Sequence, residues 1–238
     1  MNKIDTCLSP EMIGLFENLE DKIIVVADIF RATSCIVSGM ATGVKSIIPV
    51  ASVEECRALG QQGYITAGER QGIKIEDFHF GNSPYSYMSD TAKGQSIAMT
   101  TTNGTRAIDC SKGAKQVVIG AFLNLQAIAN YLIEQQSDVI LFSAGWRGRF
   151  SMEDTLFTGA LTDILVHHQF EPLFDDTLAA WQLYQQAKGD LTGYLANANH
   201  VQRLQRLGNE RDIEFCLRID EFDVVPILKG RELFPLGK

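Results

Sequence analysis

Several common features are missing from this sequence of 238 residues. No apolar run approaches the roughly 18 residues that a membrane-spanning helix needs, and the N-terminal residues lack the basic-then-apolar order of a secretion signal. The five cysteines are odd in number and include no C-x-x-C pair, so their spacing does not indicate a disulfide framework. We therefore expect a reduced, cytoplasmic protein with mostly buried thiols and no membrane partner.

An excess of basic residues is also missing. The chain has 21 Lys and Arg residues against 29 Asp and Glu residues, which gives a formal net charge of −8. A general nucleic-acid binder needs a basic face, so this balance predicts no nucleic-acid partner. It does not exclude a small anionic substrate, because the charge around a cleft can oppose the net charge. With 45% hydrophobic residues, the chain has the composition of a folded protein.

The familiar phosphate and nucleophile motifs are absent as well. The sequence has no G-x-x-x-x-G-K-[ST] loop, no G-x-G-x-x-G after the first predicted strand and no G-x-S-x-G elbow. No cysteine has an arginine six residues later, the spacing of a thiol phosphatase loop. The residues from Asp28 begin like the D-x-D-x-T loop of aspartyl-phosphate phosphatases, but Phe30 replaces the second acid. The four histidines form no metal-ligand pattern.

The sequence does contain an alternation of apolar, strand-like runs with helical patterns. The runs lie at residues 23–27, 46–50, 64–67, 96–99, 116–119 and 138–142. Ser52 and Glu55 form a capping box that begins a helix of about ten residues. Near-continuous apolar strands bounded by helices predict a sheet that is covered on both faces. The predicted fold class is therefore α/β, a three-layer α/β/α arrangement with a largely parallel or mixed sheet.

The C-terminal third has a different pattern. Apolar residues at helical spacing predict an amphipathic helix over residues 156–165, and two further helical stretches follow at about 176–195 and 200–208. Residues 223–228 indicate a last extended segment, which Pro226 would place at a sheet edge or a strand end. We predict one α/β domain over residues 1–238, with a helical extension at about 155–215.

Four loops that follow predicted strands carry unusual polar clusters. Ligands of open α/β sheets bind beyond the carboxyl ends of the strands, so these loops are the candidate site. The first loop contains Asp28, Arg31, Thr33 and Ser34. An arginine at a helix start could bind an anion, and Asp28 would suit Mg²⁺. Alternatively, Thr33 or Ser34 only caps the helix and Arg31 pairs with a surface acid.

The second and third loops add more polar groups. The second contains Glu69 and Arg70, followed by Asn82 and Ser83, although, taken alone, it is better explained by a glycine-rich turn with an exposed ion pair. The third combines hydroxyl, amide and guanidinium groups at a helix start, in Thr102, Asn103, Gly104, Thr105 and Arg106. Such a set is typical of a cradle for an oxyanion.

The fourth loop contains Gly145, Arg147 and Arg149 and ends at Glu153 and Asp154. The two acids could simply complement the dipole of the next helix. The four loops together hold five of the eleven arginines as well as four acids. Arginines with hydroxyls would bind an anion and carboxylates would bind a divalent cation, so the combination suits metal-assisted phosphoryl chemistry.

The ordered motifs resemble the 2-phosphosulfolactate phosphatase (ComB-like) family over roughly residues 7–230. The motifs are Asp28-Ile-Phe-Arg-Ala-Thr-Ser, Gly68-Glu-Arg, Gly81-Asn-Ser-Pro, Thr102-Asn-Gly-Thr-Arg, Ser143-Ala-Gly and Glu153-Asp154, with Arg203, Asp212 and Val224-Val-Pro toward the C-terminus. The resemblance implies a Mg²⁺-dependent hydrolase that converts 2-phospho-3-sulfolactate to 3-sulfolactate and phosphate, in coenzyme M biosynthesis in archaea. It also implies a three-layer α/β fold particular to the family. His79 departs from the pattern, since it stands where the family has an acid.

The loops and the resemblance together give candidate roles. The catalytic candidates are Asp28, Arg31, Glu69, Arg106, Glu153 and Asp154. The substrate-binding candidates are Thr33, Ser34, Arg70, Asn82, Ser83, Thr102, Asn103, Gly104, Thr105, Gly145, Arg147 and Arg149. The Mg²⁺ ligands would come from Asp28, Glu69, Glu153 and Asp154.

Two other functions stay open at this point. The chain could hydrolyse another small phosphorylated acid, since related phosphatases often differ only in loop residues. It could also bind an anionic metabolite without catalysis, which would not need the clustered carboxylates. A homodimer is compatible with the sequence, which does not fix the oligomeric state.

Overall fold

A mixed sheet of eleven strands organises residues 1–237, the part of the chain that the computed structural model describes. The strands are β1 (Asn2–Cys7), β2 (Ile23–Ala27), β3 (Ser46–Pro49), β4 (Ile65–Arg70), β5 (Ile73–Lys74), β6 (Ser96–Thr100), β7 (Gln116–Gly120), β8 (Val139–Ser143), β9 (Phe170–Pro172), β10 (Pro226–Lys229) and β11 (Glu232–Pro235). Their order across the sheet is β5-β4-β6-β3-β11-β10-β7-β2-β8-β1-β9.

Ten α-helices accompany the sheet within residues 1–237. They are α1 (Ala32–Ala41), α2 (Val53–Gly60), α3 (Pro84–Tyr87), α4 (Gly104–Cys110), α5 (Leu125–Gln135), α6 (Met152–Leu165), α7 (Asp175–Ala187), α8 (Leu191–Leu195), α9 (Asn199–Arg206) and α10 (Glu210–Cys216). Short 3-10 helices lie at Pro10–Leu15, Leu19–Asp21 and Phe122–Asn124. The N-cap of α2 is as predicted, since the Glu55 amide donates to Ser52 Oγ at 3.1 Å.

The parallel strands form two blocks. In the first block, β6 pairs in parallel with β3 and β4. In the second, β2 lies between β7 and β8, and β1 lies between β8 and β9. All five residues of β2 and of β8 are buried, as expected for strands covered on both faces. The predicted α/β/α class with a mixed sheet is therefore confirmed.

The C-terminal hairpin of β10 and β11 joins the two blocks. β11 pairs antiparallel with β3, and β10 pairs antiparallel with β7. Of the two predicted positions, a sheet edge or a strand end, the structure shows the second, because β10 lies inside the sheet and begins at Pro226. The missing N–H of Pro226 is tolerated at this strand end.

Three antiparallel pairings separate the two blocks, so their strands run in opposite senses along the sheet. Their carboxyl ends still meet: a Cβ added to Gly104, after β6, would lie 2.7 Å from Asp28 Oδ2, after β2.

The helix-rich portion differs in detail from its prediction. The stretch at 176–195 is two helices, α7 and α8, and α10 was not predicted. Within residues 1–237, no helix combines the length and apolar character needed to cross a bilayer. All five cysteines are free thiols and four are buried, including Cys35 in α1, so the expectation of mostly buried thiols is confirmed.

Candidate active site

A cleft lies where the carboxyl ends of the two blocks meet. Half of its lining was predicted from the sequence: Asp28, Arg31, Glu69, Asn82, Thr102, Asn103 and Arg147. The other half was not: Phe30, Gln71, Gly72, Trp146, His200, Arg203 and Leu204. The strand-end loops therefore converge, and α9 joins them.

Asp28 lies directly after β2 and is only 6% exposed. The loop that holds it is closed by its own hydroxyls: Thr33 Oγ1 accepts from the Asp28 amide at 3.0 Å, and Ser34 Oγ donates to the Ile29 carbonyl at 2.9 Å. Thr33 and Ser34 are fully buried and do not line the cleft. Burial raises the pKa of Asp28 from 3.8 to about 6, although His200 opposes the rise.

Asp154 connects two loops from below the cleft. Its Oδ1 accepts from the Ile29 amide at 2.8 Å and its Oδ2 accepts from the Gly145 amide at 3.1 Å. Burial raises the pKa of Asp154 well above its ordinary value, with Glu153 and Asp28 adding to the rise. Both carboxylate oxygens are occupied, and neither Asp154 nor Gly145 lines the cleft.

Glu69 plays a similar connecting part at the end of β4. Its Oε1 accepts from the amide and the hydroxyl of Thr102, at 2.8 and 2.9 Å, and its Oε2 accepts from the Gly72 amide at 2.6 Å. The neighbouring Arg70 donates to the Glu69 carbonyl and to Thr100 Oγ1, and lies outside the cleft lining. Glu69 thus fixes the loop after β6 against the turn after β4.

Glu153 holds a histidine that the sequence did not reveal. His200 Nδ1 lies 2.6 Å from Glu153 Oε1, and the ring stacks on Trp146 with the centroids 5.8 Å apart. The second oxygen of Glu153, Oε2, is buried without a hydrogen-bond partner among residues 1–237. This arrangement fixes His200 in the wall of the cleft.

Arg31 is a buried cation with a dedicated partner. It forms an ion pair with Asp212, and its Nη1 donates to Asn209 Oδ1 at 2.8 Å. Ser83 Oγ donates to the other oxygen of Asp212 at 2.8 Å. Asn82 is 8% exposed and its amide oxygen has no partner in the described chain, although it lines the cleft.

Several predicted residues lie elsewhere. Arg106 points to the surface and pairs with Glu11 at 2.6 Å. Arg149 is exposed beside a neighbouring pocket of about 500 Å³. Thr105 Oγ1 donates to the Thr101 carbonyl at 2.9 Å, inside its own loop. Gly104 is buried against Asp28, where its lack of a side chain allows the two loops to approach.

The predicted carboxylates fit a magnesium site in which the protein supplies only two of the ligands. Among residues 1–237, no group of three or more His, Cys, Asp or Glu side chains is placed to hold a metal. Mg²⁺ is commonly bound by only one or two carboxylates, with water and substrate phosphate completing its shell. Among the four predicted ligands, only Asp28 Oδ2 and Glu153 Oε2 are carboxylate oxygens with no hydrogen bond in the described chain, so Asp28 and Glu153 suit such a site.

Three of the seven lining residues that were not predicted come from one helix. His200, Arg203 and Leu204 all lie on α9, a helix that was predicted at about the right place. Their spacing indicates a common face. It does not indicate that this face meets loops more than a hundred residues earlier in the chain.

The fold is α/β with a cleft at its strand ends, and similarity to proteins named as phosphatases identifies the chain as an enzyme of the phosphoric monoester hydrolase class. A sequence model of the 2-phosphosulpholactate phosphatase family matches residues 7–231. The chain belongs to this family, as the motif resemblance implied.

Similar proteins support the assignment over nearly the full length. A protein of Clostridium novyi (strain NT) is 38% identical over 227 residues, covering 94% of this chain and 96% of the relative. One from Caldanaerobacter subterraneus subsp. tengcongensis is 38% identical and covers 90% of each chain. One from Clostridium acetobutylicum is 36% identical and covers 97% and 99%. Each relative is named "Probable 2-phosphosulfolactate phosphatase".

Proposed function

We propose that this chain hydrolyses 2-phospho-3-sulfolactate to 3-sulfolactate and phosphate. The observation that carries the proposal is a single cleft that combines the buried carboxylate of Asp28 with the guanidinium groups of Arg31, Arg147 and Arg203. A phosphate ester with two further anionic groups needs several cations for its binding. The names of the relatives support the same substrate.

In the proposed reaction, a water molecule attacks phosphorus in line with the ester oxygen. The new O–P bond forms as the P–O ester bond breaks, and one proton of the water ends on the alkoxide oxygen that leaves. Arg31, fixed by Asp212, binds phosphoryl oxygens together with Asn103. Asn82, whose buried amide oxygen lacks a partner in the described chain, accepts a hydrogen bond from the attacking water.

We also propose that the reaction depends on Mg²⁺. When bound by Asp28 and Glu153, with water and phosphate oxygens, the ion would neutralise charge on the phosphoryl group. Asp28 and Glu153 support this proposal because each keeps one carboxylate oxygen without a hydrogen bond in the described chain. A role in coenzyme M biosynthesis, a cytoplasmic location and a homodimer stay predictions.

The test is phosphate release from 2-phosphosulfolactate, with Mg²⁺ or with EDTA, by the wild type and Asp28→Asn. We expect EDTA and Asp28→Asn each to lower kcat/KM by about 10²–10³-fold, because each removes a group that stabilises the phosphoryl charge. The control is Asp77→Asn, an exposed acid that pairs with Arg57 on the surface, and it should keep full activity.

Different results would contradict the substrate, the metal and the role of Asp28. If the wild type with Mg²⁺ releases no phosphate, the substrate is wrong. Full activity in EDTA contradicts the role of the metal. An unimpaired Asp28→Asn contradicts the role of that carboxylate.

A further inference from the structure

Helix α9 presents one face to the cleft. His200, Arg203 and Leu204 have the i, i+3, i+4 spacing that places side chains on the same side of a helix, and all three line the cleft. Arg206, on the same helix, is exposed and does not line it. The helix therefore adds a cation to the cleft from outside the strand-end loops.

The guanidinium of Arg203 is held in place by the turn between β4 and β5. Its Nη2 donates to the Gln71 carbonyl oxygen. A Cβ added to the neighbouring Gly72 would lie 2.9 Å from Leu207 Cδ1 and 4.0 Å from Arg203 Nε and Nη2, so the turn packs directly on α9. An arginine has five N–H donors. The bond to Gln71 orients the group and leaves donors for a ligand.

Two of the three cleft arginines have no compensating acid. Arg31 is paired with Asp212, but no ion pair within residues 1–237 includes Arg147 or Arg203. Arg147 lies over the Trp146 ring, with its guanidinium carbon 5.0 Å from the ring centroid, which gives it a defined position. Two oriented cations without acids suit a ligand that carries two anionic groups besides its phosphate.

We propose that Arg203 and Arg147 bind the two anionic groups of the substrate that do not react, and so set the specificity of the cleft. This inference rests on the proposed function, because it divides the substrate between two parts of the site. The strand-end loops around Asp28 and Arg31 bind the phosphoryl group. Arg203 and Arg147 bind the sulfonate and the carboxylate, one group each.

The experiment compares three esters with the same reacting phosphate. They are 2-phosphosulfolactate, 2-phospholactate, which lacks the sulfonate, and the phosphate ester of 2-hydroxyethanesulfonate, which lacks the carboxylate. For Arg203→Gln, kcat/KM should fall about 10- to 100-fold on the esters that keep its group and at most about 3-fold on the ester that lacks it. Arg147→Gln should show the complementary selectivity. Arg203→Lys, which keeps the charge without the planar fork, should lose less than Arg203→Gln.

The matched control is Arg206→Gln, an exposed arginine on α9 that does not line the cleft, which should leave all three rates unchanged. Thermal melting of each variant shows whether it is folded. If Arg203→Gln is folded and lowers kcat/KM equally on all three esters, or on none, the inference is wrong. If the wild type does not hydrolyse 2-phosphosulfolactate, the proposed function is wrong, and the division of that substrate between Arg203 and Arg147 is wrong with it. If the wild type is active and the variants show no selectivity among the esters, only the inference is wrong.

Discussion

The strand-end loops and helix α9 line the same cleft, but their side chains differ in burial. The loop side chains of Asp28, Arg31 and Glu69 are buried, and each has protein groups that fix it. The α9 side chains of His200 and Arg203 are half-buried at the rim. The first set belongs to the folded interior, whereas solvent reaches the second.

This difference in burial decides whether a change of charge affects stability or ligand recognition. A buried charge needs compensation from the fold, so a change there affects stability as well as chemistry. A rim charge is compensated by water when no ligand is bound, so a change there affects recognition. The interior of this cleft is therefore where activity and stability compete.

The largest effect on stability should come from the ion pair beneath the cleft. Asp212→Ala leaves the buried guanidinium of Arg31 without its carboxylate and removes the acceptor of Ser83 Oγ. We expect the free energy of unfolding, measured by urea denaturation, to fall by about 3–5 kcal/mol. Asp77→Ala breaks the exposed pair with Arg57 and should have little effect. Equal losses would mean that burial does not distinguish the two pairs.

A smaller effect of opposite sign is expected for Asp28→Asn in metal-free protein. Because burial raises the pKa of Asp28 from 3.8 to about 6, its contribution favours folding below pH 3.8 and is lost as the pH rises through about 6. In EDTA, the variant should therefore be more stable than the wild type by about 3 kcal/mol at about pH 8. The difference should vanish below about pH 4.

Asp77→Asn provides the contrast for this pH series. Its hydrogen bond with Arg57 lowers the pKa of Asp77, so its contribution is present at neutral pH and is lost in acid. Denaturation curves give the unfolding free energy of each variant relative to the wild type. This difference should rise with pH for Asp28→Asn and fall as the pH rises from acid to neutral for Asp77→Asn. If the difference in unfolding free energy between Asp28→Asn and the wild type does not change with pH, the raised pKa of Asp28 in the folded protein is contradicted.

The smallest of the three effects concerns the close approach of the two blocks. A Cβ on Gly104 would lie 2.5 Å from Ala32 Cβ and 2.7 Å from Asp28 Oδ2. Gly104→Ala should lower the unfolding free energy by about 1–3 kcal/mol, because neighbouring atoms must move. It should also lower kcat, since Asp28 is displaced. Gly14→Ala adds a Cβ with no atom within 4 Å and should be near neutral in both measurements.

Local patterns were sufficient to predict most of the fold. Apolar runs indicated the strands β2, β3, β6, β7 and β8, and the capping box located the start of α2. The short strands β5 and β9 carry too few residues for a periodic signal. The position of β10 inside the sheet depends on its pairing with β7 and β11, which no local pattern encodes.

The candidate site was partly predictable for the same reason. Asp28 directly follows β2 and Glu69 lies in the last two residues of β4, so topology placed both at a strand end. His200 and Arg203 reach the cleft only through the packing of α9 on the turn at Gly72. Thr33 was a reasonable ligand candidate, but the structure uses its hydroxyl to close its own loop.

The central hairpin is also the last part of the sheet to be synthesised. One parallel block carries Asp28 and the other carries Glu69, and the strands that join the blocks, β10 and β11, are translated after both. Until residues 226–235 leave the ribosome, β3 and β7 each present an edge without its partner, which is the kind of surface that nascent chains aggregate through. The strand-end loops of the cleft are therefore synthesised before the strands that join the two blocks.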